Sequence, residues 1–139
     1  MKKFLILYYL ILSSAWSQTV IYHKEGDSPI QGYLALPKGK GPVPGIILIH
    51  EWWGLNDDIR EKANHFASQG YAALAVDLYH GGSTDKSSEA RQLAGAVREN
   101  MEGAFTNLSA ALDYLKNQPG VDEKRLASIG WCFGGGWSY

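Results

Sequence analysis

Uninterrupted apolar runs alternate with helix-period segments along most of this chain, and the alternation predicts a layered α/β fold. Gly45-Ile46-Ile47-Leu48-Ile49-His50, Tyr71-Ala72-Ala73-Leu74-Ala75-Val76-Asp77 and Leu126-Ala127-Ser128-Ile129-Gly130-Trp131 are short and almost free of charge. Runs of this kind form strands covered by helices on both faces. Between the first two, the pattern turns helical from Asn56, with Asp57 and Asp58 in the first turn, Ile59, Ala63, Phe66 and Ala67 on one face, and Gly70 closing it. Acids at that end complement the helix dipole. Helical sequence resumes from about Glu89 to Arg98. A further helix is predicted from about Glu102 to Asn117, where Phe105, Leu108, Leu112 and Leu115 recur at i, i+3, i+4 spacing before Pro119-Gly120 ends it. Strand, helix, strand, helix, strand in this order implies right-handed crossovers and a mostly parallel sheet, with chemistry at the carboxyl ends of its strands.

The start of the chain has a different character. Thr19 to His23 and Gln31 to Leu36 are β-rich runs joined by the polar Gly/Pro connection Lys24 to Pro29, which reads as a leading antiparallel pair. Pro37 to Pro44, dense in Gly, Pro and Lys, is a surface loop. Before the pair, Lys2 and Lys3 precede the apolar stretch Phe4 to Leu12, and Ala15-Trp16-Ser17 supplies a small-residue cleavage site before Gln18. The expected organisation is an export signal over residues 1–17 and one domain over residues 18–139. The apolar stretch is shorter than the ~20 residues that span a bilayer, so export to a periplasm or the exterior is expected rather than anchoring.

Charge narrows the partners. Without residues 1–17 the remaining 122 residues carry 11 basic and 14 acidic side chains, a net charge of −3. Such a surface has no electrostatic footprint for nucleic acid or anionic lipid. Neither metal-ligand spacing nor a phosphate-cradling glycine loop is present, so no metal and no cofactor is expected. The oligomeric state is left open. One cysteine, Cys132, is present, and an internal disulfide is therefore impossible.

That cysteine sits in Gly130-Trp131-Cys132-Phe133-Gly134-Gly135, directly after an apolar strand. A GxCxGG hexapeptide at this point predicts a nucleophile elbow, a sharp strand-to-helix turn that presents the Cys132 thiol. A thiol attacks as its thiolate, and a helix amino end with unpaired amides favours that anion. The alternative is a small buried packing cysteine.

A second constellation, His50-Glu51-Trp52-Trp53-Gly54-Leu55-Asn56, follows the first parallel strand. Acyl transfer needs two donors where the tetrahedral oxyanion develops, one after the nucleophile and one in this loop. The candidates are the backbone amides of Phe133 and Trp52. Glu51 would stand beside the thiol, holding it protonated at rest and then accepting or relaying its proton; a solvated loop acid is the plainer alternative. Trp53 is a weak candidate for a substrate wall, and packing beneath the loop explains both tryptophans almost equally well.

Together these motifs resemble the dienelactone hydrolase family of α/β-hydrolases, over essentially the whole portion after the signal. The resemblance implies hydrolysis of a small ester or lactone through an acyl-cysteine intermediate, with Cys132 as nucleophile and Glu51 as its resting partner. It also implies an arginine after the Asp77-Leu78-Tyr79 strand end that binds a substrate carboxylate; Arg91 is the nearest match, but the intervening loop differs and a surface arginine on a helix is the plainer reading. In the family the triad acid and histidine lie well beyond the elbow, where this chain has only seven residues. The expectation is an α/β-hydrolase-type domain truncated after its elbow, inactive as it stands and prone to aggregation. His23, His50, His65 and His80 all precede Cys132, and of these His50 and His80 lie near the expected mouth, where strand-end packing and loop hydrogen bonding explain them more simply than replacement of the missing base. A non-catalytic exported binding module of the same fold is the competing expectation.

Overall fold

The computed structural model describes residues 15–39 and 41–138. Most of the expected export signal, residues 1–14, lies outside the described residues. The elements run β1 (Trp16–Glu25), β2 (Ser28–Leu36), β3 (Val43–Ile49), α1 (Asp57–Ser68), β4 (Ala72–Val76), α2 (Ser87–Glu99), α3 (Met101–Lys116) and β5 (Val121–Gly130), with a short 3-10 turn over Gly134–Gly136. β1 takes in Trp16 and Ser17, which pair with Leu36 and Ala35, so the leading pair is longer than the sequence predicts.

Five strands form one sheet in the order β1-β2-β4-β3-β5. β3, β4 and β5 are mutually parallel, and the β1–β2 hairpin joins antiparallel along the edge of β4. The first crossover carries the chain from β3 to β4, and the second returns it past β3 to β5. Strand order therefore reverses between β3 and β5, and the two loops leaving their carboxyl ends flank the crevice where such sheets hold ligands.

Alternate residues of the parallel strands face opposite layers, as the two-residue period demands. Ile46 and Leu48 of β3, with Ala73 and Ala75 of β4, pack under Ile59, Ala63 and Ala67 of α1. Ile47, Ile49, Leu74 and Val76 face the other way, into a core with Ala94, Val97, Ala104, Ala111 and Leu115 of α2 and α3 and with Val20, Tyr22 and Leu34 of the hairpin. The Asn56 side chain accepts the N–H of Ile59 at 3.2 Å and so starts α1 at the expected place.

Two expectations need correction. Of the α3 stripe Phe105, Leu108, Leu112 and Leu115, Leu115 is buried and Leu108 packs partly against the core, but Phe105 is 51% exposed and Leu112 40%. Ala104, Asn107 and Ala111 supply the rest of the buried face. The smaller stripe lets the helix approach the sheet closely, and the larger one borders a trough of about 410 Å³ with Leu126, Ile47, Ile49 and Trp137. β5, expected to be buried on both faces, is an edge strand laddered only to β3, and Ala127 and Ser128 are exposed.

Candidate active site

Position 132 adopts a conformation that L-residues avoid. Cys132 has φ 53°, and among the described non-glycine residues only His80, at φ 55°, shares a positive value. A left-handed cysteine stores strain on the order of 1–3 kcal/mol, held in place by its surroundings. Those surroundings are glycines. A Cβ on Gly130 would collide with the Gly134 carbonyl, and one on Gly134 would collide with the Ile49 and His50 carbonyls. The elbow thus packs against the end of β3, and the cysteine is left exposed at the tip of β5.

The thiol opens onto a cleft of about 550 Å³ bounded by Arg98, Met101, Phe105, Phe133 and Trp137. Arg98 places its guanidinium 5.4 Å from the centre of the Phe133 ring, a cation over an aromatic face. Arg91 is exposed on α2 and does not line this cleft. Seven residues separate the two arginines, so they share a helix face about 10 Å apart along the axis, and only the later one lines the thiol cleft. That i, i+7 relation was available in the sequence; which end of α2 meets the elbow was not.

Neither the Trp52 amide nor the Phe133 amide donates a hydrogen bond among the described residues. Both amides are therefore without an internal acceptor among the described residues. Glu51 is half-buried, and its carboxylate has no hydrogen-bond or ion-pair partner among the described residues. Trp52 and Trp53 meet edge-to-face with ring centres 4.8 Å apart. Trp52 also packs against the core, and Trp53 is absent from the lining of the thiol cleft.

The histidines have other work. His50 is fully buried, and its Nε2 accepts the N–H of Leu78 at 3.2 Å. A backbone N–H can only donate, so the ring proton resides on Nδ1, which donates to the Glu51 carbonyl at 2.6 Å. Burial also lowers the His50 pKa, keeping the ring neutral despite the Asp77 carboxylate 4.0 Å away. With both nitrogens engaged, His50 has none left to serve as a base. His80 pairs with Glu25 at 3.0 Å, His65 is exposed in the last turn of α1, and His23 lies at a register shift in β1.

Asp77 organises the neighbouring strand end. Its carboxylate accepts the N–H groups of Tyr79 at 2.8 Å and Gly81 at 2.5 Å, curling the chain after β4. The Asp77 carbonyl accepts from the Asn107 amide at 3.0 Å, and the Tyr22 hydroxyl donates to Asn107 Oδ1 at 2.6 Å, which ties β1, β4 and α3 together. Tyr79 donates its hydroxyl to the Trp52 carbonyl at 3.1 Å. Burial pushes its pKa up to about 12, so it remains a phenol and a donor. The Arg98 guanidinium works against that rise, and negative charge on the Cys132 sulfur adds to it.

A mostly parallel sheet with a left-handed cysteine at the sharp turn after β5, and two amides in the flanking loops that are unengaged among the described residues, has the form of an α/β-hydrolase fold. The model of the dienelactone hydrolase family matches residues 30–139, and the chain belongs to that family. Protein usf of Aquifex pyrophilus is 37% identical over 122 residues, covering 85% of this chain and 52% of that protein. The carboxymethylenebutenolidase of Pseudomonas putida is 33% identical over 117 residues, covering 78% of this chain and 49% of that enzyme. Among solved structures, m3DLH superposes with a TM-score of 0.80 at 35% identity, over 89% of this chain and 52% of its own. P91, a dienelactone hydrolase-like promiscuous phosphotriesterase from metagenomic libraries, gives a TM-score of 0.79 at 32% identity, again over 89% and 52%. The chain spans about half the length of these relatives.

Proposed function

We propose that the protein to which this chain belongs hydrolyses small carboxylic esters or lactones through Cys132, and that these residues supply the nucleophile and the oxyanion donors. The observation that carries the reading is Cys132 at φ 53° on a strand tip, together with the Phe133 and Trp52 amides, which donate to nothing else among the described residues. Sγ attacks the acyl carbon and forms the S–C bond, while the carbonyl π pair moves onto oxygen between the Phe133 and Trp52 amides. Collapse of that intermediate breaks the ester C–O bond. The leaving alkoxide takes up a proton, and water then cleaves the thioester to release the acid and restore the thiol. Glu51, whose carboxylate is otherwise unpaired, is the resting partner of the thiol and the first recipient or relay of its proton. Each oxyanion donor is worth on the order of 3 kcal/mol of transition-state stabilisation.

The name of the Pseudomonas relative, a carboxymethylenebutenolidase, and the Arg98 cation lining the thiol cleft support an acyl substrate carrying a carboxylate. In this reading Arg98, rather than Arg91, receives it. The Lys-Lys start and the apolar residues behind it support export, with cleavage after Ser17.

The test is the full-length protein from its source, offered an activated aryl ester and followed by mass spectrometry. An acyl adduct on Cys132, with turnover abolished by Cys132→Ala, is the expected result. Undiminished turnover in Cys132→Ala would remove the nucleophile assignment. A cooperatively folded protein that never acylates would favour the binding-module reading.

A further inference from the structure

Two side chains that take no part in the bond-making steps above grip the loop that carries Trp52. Resting on the reading of the Trp52 amide as an oxyanion donor, we propose that His50 and Tyr79 are positioning residues that lock the peptide units on either side of Trp52, so that its N–H is held ready for the developing oxyanion.

A trans peptide is planar, with its C=O and N–H pointing in opposite directions. Holding the Glu51 carbonyl therefore aims the Trp52 N–H. That carbonyl accepts from His50 Nδ1 at 2.6 Å and from the Gly54 N–H at 3.2 Å, which engages both of its lone pairs. The next carbonyl, of Trp52, accepts the Tyr79 hydroxyl at 3.1 Å, and the one after, of Trp53, accepts the Thr84 N–H at 3.1 Å. Three successive carbonyls are held while the Trp52 N–H is not. A donor fixed in this way needs no reorganisation when charge appears on the substrate.

His50 performs this task in one protonation state. The Leu78 N–H requires a bare Nε2, which leaves the single proton on Nδ1, where the Glu51 carbonyl needs it. The same ring stacks on Phe133 with centres 5.8 Å apart and meets Tyr79 edge-on at 4.6 Å. Phe133 is the residue that supplies the second donor. One buried imidazole thus contacts both halves of the proposed oxyanion site without reaching the thiol.

The experiment compares two reactions of Cys132 in the full-length protein: acylation by an activated aryl ester, which develops an oxyanion, and alkylation by iodoacetamide, which does not. His50→Leu should slow acylation by about 100-fold, the scale of a modest misplacement of a reacting group, with KM nearly unchanged. Its alkylation rate and the pH profile of that rate should stay at the wild-type value. His50→Asn, whose side-chain amide puts a donor near the Nδ1 position, should recover most of the lost acylation. Tyr79→Phe, which deletes only the hydroxyl, should slow acylation by about three- to tenfold, a single hydrogen bond's share, and leave alkylation alone. If His50→Leu fails to give a cooperative thermal transition, His50→Asn and Tyr79→Phe decide the matter. Wild-type acylation rates in His50→Leu, parallel loss of alkylation, or no recovery in His50→Asn would each overturn the proposal. A wild-type protein whose Cys132 alkylates but never acylates would instead overturn the hydrolase reading, and this inference with it.

Discussion

Gly134 lies against the backbone carbonyl of Ile49 so closely that a Cβ at position 134 would overlap it. This contact seats the elbow on the end of β3, and it gives the glycines of the hexapeptide a measurable role. Gly134→Ala forces main-chain displacement in a packed region, which costs about 3 kcal/mol when no flexible side chain can yield. The expected outcome is a lowered urea midpoint together with loss of Cys132 acylation. Gly136, which has open space around its absent Cβ, is the control, and Gly136→Ala should leave both close to wild type.

Replacing Cys132 tests the strain directly. Cys132 is exposed and left-handed, so Cys132→Gly loses little packing and relieves a conformation that costs about 1–2 kcal/mol for an L-residue. Glycine's greater unfolded-state entropy offsets part of that gain. A net stabilisation of about 1 kcal/mol with complete loss of acylation is expected from chemical denaturation and the ester assay. A destabilised Cys132→Gly would show that the elbow is not strained.

Arg98 and Arg91 make a paired test of charge recognition. Arg98→Gln should slow hydrolysis of an ester bearing a carboxylate by about tenfold or more relative to its neutral analogue, the scale of one lost charge-assisted contact. Arg91→Gln should change neither, because its side chain is exposed and absent from the cleft. Equal losses on charged and neutral esters would assign Arg98 to packing on Phe133 instead.

Stability should fall away at both ends of the pH range for reasons that can be separated. His50 is held neutral in the fold, with its pKa lowered mainly by burial. Its contribution is therefore present above the unfolded histidine value of about 6.5 and is lost as pH falls below it. His50→Asn should flatten the stability profile between about pH 5 and 7. Tyr22 behaves in the opposite sense: burial raises its pKa, so its contribution is complete below about 10 and declines as pH rises further. The gap in urea midpoint between wild type and Tyr22→Phe should narrow through that alkaline range.

The exposed stripe on α3 should govern self-association of the chain as given. Phe105 and Leu112 border an apolar trough beside the edge strand β5, a combination that favours association in water. Sedimentation of the purified chain should show oligomers, and Phe105→Lys with Leu112→Glu should shift it toward monomer. An unchanged distribution would place the association elsewhere.

By itself the sequence determined the order of elements, the start of α1 at Asn56 and the elbow at Cys132, because each rests on local chemistry. Apolar runs, a capping side chain and glycines around a strained turn act over a few residues. The loop from His50 to Asn56 was legible for the same reason: it follows directly from a strand. What only the tertiary structure decided is which groups meet across the fold. The tautomer of His50 depends on the Leu78 N–H, 28 residues away, and the anchoring of Trp52 depends on the Tyr79 hydroxyl, 27 residues away. The choice of Arg98 over Arg91 depends on which end of α2 reaches the elbow. On α3 the local pattern pointed to the stripe Phe105, Leu108, Leu112 and Leu115, but packing on the sheet buried Leu115 with Ala104 and Ala111 and left Phe105 and Leu112 exposed. Periodicity reports that a helix has a face, while the shape of the surface it meets decides which face is buried.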